Sequence, residues 1–347
     1  MASTTGVYHT TYRGDLALRH THVEYLRLLL ALAVVVALPF YVSPFWLHVL
    51  CQIGIAVIGA IGLNILVGYT GQISLGQGGF LAVGAYTAGM VATKSDLSPL
   101  VGVLVAVLVT AVVGAFFGLP ALRLKGLYLA VATLASQQII VWLIINWEYP
   151  TGGTDALLLQ PPTVFGWTPT GDKQWYWVIA GFAALAAITA TNLFRTGVGR
   201  AFVAIRDHDI AAEVIGVHPA YKVLAFAVSS AFVGLAGALT AYWTQILTWE
   251  RFTLDVSILY LAMIIVGGLG TVAGSIYGAA FMIAIPAYLD QLSLKVSPDS
   301  FLATDLPGIK LLIFGLTIVL FLVFEPKGLA RIWQRLKDYF RLWPFRY

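Results

Sequence analysis

Long apolar stretches alternate with short charged ones along this chain, and the spacing of the charges sets how many membrane-length helices it can form. About 20 apolar residues span a bilayer as a helix. Between Arg27 and Lys94 lie 66 residues without Asp, Glu, Lys or Arg, which predicts three passes at 26–46, 49–68 and 79–93. Single passes follow at 98–119, 124–147, 175–194 and 222–245. The uncharged interval from Asp255 to Asp290 is broken by Gly267, Gly268 and Gly270, so two short passes, 255–270 and 272–289, fit it better than one. A last pass at 308–325 brings the predicted number to ten.

Composition points the same way. Of 347 residues, 59% are hydrophobic and 10% charged, against about 25% charged in soluble domains. So few charges cannot keep this much apolar surface in water, which excludes soluble enzymes, nucleic-acid modules and disordered scaffolds. The expected fold is an all-α integral membrane protein, with an N-terminal tail at 1–25, a membrane domain at 26–325 and a C-terminal tail at 326–347. The first 25 residues carry Arg13, Arg19, His20 and Glu24 without an apolar run, so the first pass is expected to act as an uncleaved anchor.

Lys and Arg gather on the cytoplasmic side of membrane proteins. With both termini inside, 15 of the 20 basic residues fall on the inner side. Lys94, Lys173, Arg251 and Lys295 fall outside, and Lys310 sits at the mouth of the last pass. This places the chain in the cytoplasmic membrane with both tails in the cytoplasm. Ten passes divide into two sets of five, and an odd number inverts the second set relative to the first. The short, glycine-flanked third and eighth passes then match, as around a midplane path between inverted repeats. Two short helices also match by accident, so the pattern alone leaves both readings open.

No Asp, Glu, His or Arg is placed at mid-membrane, His48 lying beside a boundary, although ion-coupled carriers usually need one there; Na⁺ held by backbone carbonyls at broken helices stays open. No G-x-x-x-x-G-K-[ST] occurs, so ATP energy would have to come from a partner. H-E-x-x-H is absent, the six histidines form no cluster with acids, and the single Cys51 lies in an apolar run. No catalytic or metal-ligating residue is therefore nominated, and Cys51 reads as inert packing.

Four polar stretches stand out. Gly71, Gln72, Ser74, Gly76 and Gln77, with Gly78 and Gly79, form a polar island between apolar helices. Its amides and hydroxyl either line a path for a neutral solute or bridge closely packed helices. Gly270, Gly274 and Gly278 recur every four residues, a ridge for helix contact. Residues 195–222 form the longest inner segment, helical in pattern from Arg200 to Ile215, with Val203, Ile210 and Val214 on one side and Arg206, Asp209 and Glu213 on the other. Gly216 and Pro219 mark its end. Such a helix lies in the membrane interface or docks in a groove of a motor subunit. The outer loop 148–174, with Thr151, Gly152, Gly153 and Asp155, fits a receptor surface, a plug or a plain surface loop. In the C-terminal tail Ile332, Trp333, Leu336 and Phe340 oppose Arg331, Arg335, Lys337 and Arg341, a basic amphipathic helix for the inner leaflet, with no reason to invoke nucleic acid.

The run GRAFVAIRDHDIAAEVIGV, followed by YKVLAFAVSSAFVGLAGAL, resembles the coupling region and next helix of branched-chain amino acid ABC transporter permeases of the LivM type. GYTGQISLGQGGFLAVGAY from Gly68 to Tyr86 is similar to a stretch after that family's second helix. GGLGTVAGSIYGA from Gly267 to Ala279 is similar to its late glycine-rich element, with Ser275 where Pro is common. TGGTDA from Thr151 to Ala156 resembles an outer T-G-G-[ST]-D-G motif but ends in Ala156. The resemblance covers roughly residues 50 to 330. It implies an importer subunit for branched-chain or other hydrophobic amino acids, beside a second related permease subunit, two ATP-binding subunits that bring ATP and Mg²⁺, and a periplasmic or extracellular binding protein. No cofactor is implied in this chain. It further implies that Arg200, Ala204, Arg206, Asp207, Asp209, Ala212 and Gly216 seat in the ATP-binding subunit, the alanines permitting close approach, the charges pairing at the rim and Gly216 ending the helix left-handed. A similar permease for urea or a short amide is the alternative within this class; a self-sufficient carrier or channel is the rival from another class.

Overall fold

The computed structural model describes residues 22–95, 97–164, 166–293, 306–325 and 328–342. The expected N-terminal tail up to residue 21 and the last five residues lie outside the described residues. Helices stand on all ten predicted intervals: α1 (His22–Tyr41), α2 (Pro44–Asn64), α3 (Gln77–Lys94), α4 (Pro99–Gly118), α5 (Leu127–Asn146), α6 (Asp172–Arg195), α8 (Ala220–Thr244), α9 (Leu254–Gly267), α10 (Val272–Ser293) and α11 (Leu306–Phe324). The 195–222 segment forms α7 (Gly197–Val214) and the chain beyond α11 forms α12 (Gly328–Leu342). Their ends follow local chemistry. Pro44 and Pro99 open α2 and α4 behind Ser43 and Ser98, where a missing N–H costs nothing. α6 begins on Asp172 and ends on Arg195, charges that suit the two ends of its dipole.

Among the described residues, six helical stretches are long and apolar enough to cross a bilayer: Pro44–Tyr69, Pro99–Leu122, Leu127–Asn146, Asp172–Arg195, Ala220–Thr244 and Val272–Leu292. The chain is thus a multi-pass, all-α membrane protein. α2, prolonged by a wider turn over Ile65–Tyr69, is its centre, 78% buried against 17% for α6. Around it, backbones approach closely because small residues line the crossings. A Cβ on Gly84 of α3 would stand 2.4 Å from the Gly234 carbonyl oxygen of α8, and one on Gly237 of α8 would stand 2.2 Å from that of Leu81. On α10, a Cβ on Gly278 would meet the Met263 oxygen at 1.8 Å, and one on Gly274 the Gly268 oxygen at 2.4 Å. Gly270 departs from the expected ridge: it lies in the turn before α10 with φ +72°.

The short helices α3 and α9 are not among the six. α3 has 18 residues and α9 has 14, and an irregular stretch precedes each: 71–76 before α3, and a two-residue ribbon strand (Ile246–Leu247, paired with Leu157–Leu158) plus the turn Trp249–Phe252 before α9. Both lie against Gly59 of α2. Gln77 Nε2 donates to the Gly59 carbonyl at 2.9 Å, and the ring of Tyr260 from α9 packs on Gly59. Their first turns touch, the Gly78 N–H donating to Ser257 Oγ at 2.8 Å.

The 195–222 segment differs from its expected pattern. His208 adopts an extended conformation (φ −163°, ψ 99°) and splits α7 in two, so the faces do not continue across it. Ala201, Phe202, Ile205 and Ala212 are buried, whereas Ile210, Val214 and Ile215 are exposed. In α12, Ala330 is buried while Ile332, Trp333 and Leu336 are exposed, and Arg335 pairs with Glu325 at 2.7 Å. The side chains of Phe340 and Arg341, placed on this helix by the sequence pattern, lie outside the described residues.

Candidate translocation path and coupling surface

The polar island is drawn into the bundle by hydrogen bonds that its glycines make room for. Ser74 Oγ accepts from the Gly76 N–H at 3.3 Å, and the Leu75 N–H donates to Thr133 Oγ1 of α5 at 2.9 Å. A Cβ on Gly76 would stand 2.9 Å from the Thr133 carbonyl oxygen. Gln77 is spent on α2, as described. Ser74 and Gln77 are therefore packing groups first. Gln72 is different: it is buried, yet both amide atoms lack a partner. An unpaired polar group inside a protein costs about 1–3 kcal/mol, and it marks a place for water or a polar solute. Among the described residues, the buried Tyr86 hydroxyl of α3 shares this state.

Where α3 meets α9, a buried relay continues from the Gly78 N–H through Ser257. Ser257 Oγ donates to Gln137 Oε1 at 2.6 Å, and Gln137 Nε2 donates to the Phe252 carbonyl at 3.4 Å. All of its groups are neutral. The sequence reading missed Gln137, Ser257 and Tyr86, although each is a polar residue inside an otherwise apolar pass.

The second junction lies at the end of α2. Asn64, 1% exposed, donates through Nδ2 to the Thr271 carbonyl and to Ser275 Oγ, both at 2.8 Å, and accepts from the Gly270 N–H at 2.8 Å. Gly68 packs so tightly beneath it that a Cβ would stand 2.3 Å from the Gly270 nitrogen. Arg206 reaches this spot from α7, Nη1 donating to the Gly68 carbonyl at 3.3 Å. Gly71, with φ +69°, faces the Arg206 side chain, where a Cβ would stand 3.2 Å from Cγ. Tyr69 stacks on Phe194 of α6, ring centroids 3.3 Å apart. Three stretches far apart in sequence, around Gly68, Arg206 and Gly270, thus close on one point.

Other residues of α7 are divided between outside and inside. Arg200 is exposed, Ala204 half-buried and Asp207 exposed, the last pairing with Arg206 at 2.9 Å. Ala212 is 3% exposed, so its small side chain serves packing within this chain. Gly216 has φ +96°. Its N–H donates to the Glu213 carbonyl at 3.1 Å and that of Val217 to the Ala212 carbonyl at 2.9 Å, the paired bonds that end a helix on a left-handed glycine.

Asp209 faces its own chain. Oδ2 meets Lys125 Nζ at 2.5 Å and Lys222 Nζ at 3.3 Å, and Glu213 reaches Lys222 at 3.1 Å. The hydrogen bond from Lys125, and then that from Lys222, hold the Asp209 carboxyl below its usual range against the opposing effect of burial. A carboxyl whose pKa falls on folding adds stability above its unfolded value and loses it only as pH drops through the folded one. This contact is therefore expected to hold from pH 8 to 5 and to loosen only below about pH 4. Protease protection of residues 208–216 in nanodiscs, followed across pH, checks this; loosening between pH 7 and 5 contradicts it.

The motif from Thr151 to Asp155 closes the C-terminal end of α5. Thr151 Oγ1 donates to the Ile144 carbonyl at 2.7 Å and accepts from the Gly153 N–H at 3.3 Å. Gly152 and Gly153 have φ +88° and +62°, and Asp155 is exposed, its N–H donating to the Gly152 carbonyl at 3.1 Å. The structure keeps this motif apart from the two junctions. Among the described residues no group of His, Cys, Asp and Glu is arranged to hold a metal ion.

A multi-pass bundle with two short helices meeting beside its central helix, and a neutral polar relay between them, has the frame of a membrane permease. The chain belongs to the family described as branched-chain amino acid transport system / permease component, whose model matches residues 45–322. It is 32% identical to the high-affinity branched-chain amino acid transport system permease protein LivM of Salmonella typhimurium, over 87% of this chain and 74% of that protein. It is 31% identical to the Escherichia coli protein of the same description, over 86% of this chain and 73% of the relative. A probable branched-chain amino acid transport permease protein LivM of Methanocaldococcus jannaschii is 23% identical, over 78% of this chain and 82% of that one. No solved structure matches the chain.

Proposed function

We propose that this chain is the membrane subunit of an ATP-driven importer for branched-chain or other hydrophobic amino acids. It crosses the cytoplasmic membrane ten times in two inverted sets of five, with both termini inside. The observation that carries the reading is the place of α7: Ile210, Val214 and Ile215 are exposed on the same segment whose Arg206 binds the Gly68 carbonyl. An ATP-binding subunit seated on those side chains pulls on the junction that closes α2 against the turn before α10. Two such subunits supply ATP and Mg²⁺, a second related permease completes the membrane pair, and a binding protein outside selects the substrate. Gln72, Tyr86 and the Gln137–Ser257 relay are the places where a neutral path would touch a passing zwitterion. An amide-rich lining also suits urea or a short amide, so the test includes both.

Affinity co-purification from native membranes, followed by an ATPase assay with candidate ligands and binding protein, tests the proposal. Stoichiometric ATP-binding subunits and hydrolysis raised by a binding protein loaded with leucine, isoleucine or valine are expected. Stimulation by urea or an amide alone would replace the substrate. Transport by the lone chain on an imposed ion gradient would overturn the reading.

A further inference from the structure

Resting on the coupling reading above, a motion of an ATP-binding subunit enters this chain at Ile210, Val214 and Ile215, in the part of α7 beyond the extended His208. That short part needs a stiff connection to the membrane helices, or its motion is lost in the turns at either end. Asp209 is the residue that makes the connection. Oδ1 accepts from the Ile210 N–H at 2.9 Å, and Oδ2 is taken by Lys125 and Lys222. Both oxygens are engaged within the chain, which leaves little for a partner. Lys222 lies in the first turn of α8 with its side chain 6% exposed, and a buried ammonium must keep its partners. Lys125, on the link before α5, is 57% exposed.

The two lysines lead to different parts of the bundle. Along α8, Ser229 Oγ donates to the Gly62 carbonyl of α2 at 2.7 Å. Along α5, Thr133 holds the Leu75 N–H and Gln137 holds Ser257, which is where α3 and α9 meet. We infer that Asp209 is a joint between the coupling segment and the membrane helices α5 and α8, through Lys125 and Lys222, and that it is not a contact for the ATP-binding subunit. Asp209, Lys125 and Lys222 are positioning residues: none touches the solute, and each sets how a displacement of α7 reaches the path.

The test is made on the whole complex in liposomes, with ATP-binding subunits and loaded binding protein, reading bound ATP-binding subunit and amino acid transported per ATP hydrolysed. Lys125→Gln and Asp209→Asn are expected to keep the bound subunit stoichiometric while transport per ATP falls about fivefold or more, the lower end of an ordinary coupling energy. Asp209→Glu, which keeps the charge, is expected to restore most of the ratio. Transport per ATP at the wild-type value in Lys125→Gln and Asp209→Asn overturns the joint and leaves the coupling reading standing. Loss of bound subunit in step with transport also overturns it, by making Asp209 a docking contact. Should Asp209→Asn fail to accumulate, Lys125→Gln decides by the same two readings, since its side chain is largely in solvent. A wild-type chain that binds no ATP-binding subunit removes the coupling reading itself, and the joint with it.

Discussion

Asn64→Leu is expected to unfasten the C-terminal end of α2 from the turn before α10, with a loss of about 2–6 kcal/mol. The size follows from what each partner keeps. The Gly270 N–H loses its one acceptor among the described residues in a part-buried setting, a cost of about 1–3 kcal/mol. The Thr271 carbonyl still receives the Ser275 N–H at 3.3 Å, and Ser275 Oγ still faces the Ala60 carbonyl at 3.5 Å, so for these two only the net worth of a hydrogen bond is lost, about 0.5–1.5 kcal/mol each. Native domains are stable by about 5–15 kcal/mol, so the variant should insert poorly and melt early. The same turn carries Gly68 and receives Arg206, and transport is expected to fall with it. Thermal melting of the detergent-solubilised protein, with uptake in liposomes, is the measurement. A variant that melts and transports like the wild type shows that the turn is held by other contacts.

The helices were legible because charges are excluded from apolar helices so strongly that their spacing nearly outlines the structure. The interval from Asp255 to Asp290 shows how far this goes: Gly267, Gly268 and Gly270 divided it, and the break between α9 and α10 falls at 268–271. Polar islands were legible for the same reason, since an amide among valines is conspicuous. What each amide does was not. Gln72 and Gln77 look alike in sequence, but Gln77 finds the Gly59 carbonyl and Gln72 finds nothing, a difference set by backbone paths that meet only in the fold. Asn64 stood unremarked within a predicted pass, because its three partners lie more than 200 residues away. The α7 pattern misled through one residue. Extended backbone at His208 breaks the 100° step on which helical periodicity depends, so Val203 before it and Ile210 and Val214 after it do not form one continuous face.

The burial of α7 on either side of that break also decides where a substitution can test docking. Ala212 is buried within the chain, so an added side chain there would disturb α7 whatever partner it meets. Val214 is 83% exposed and Ile215 77%, and neither supports the fold through its side chain. Val214→Asp combined with Ile215→Asp is therefore expected to leave expression, insertion and melting unchanged. In a contact with an ATP-binding subunit, however, two carboxylates would replace apolar anchors and enter a desolvated surface without partners, which is costly. Losses at such anchors run to about 2 kcal/mol or more each, and about 1.4 kcal/mol is tenfold in affinity, so the two together should weaken binding of the subunit roughly 700-fold. Co-purification of ATP-binding subunit with the double variant measures it directly. Retention at the wild-type level would mean that these side chains face lipid headgroups instead, and the coupling surface would have to be sought on the arginine side of α7, around Arg200 and Asp207.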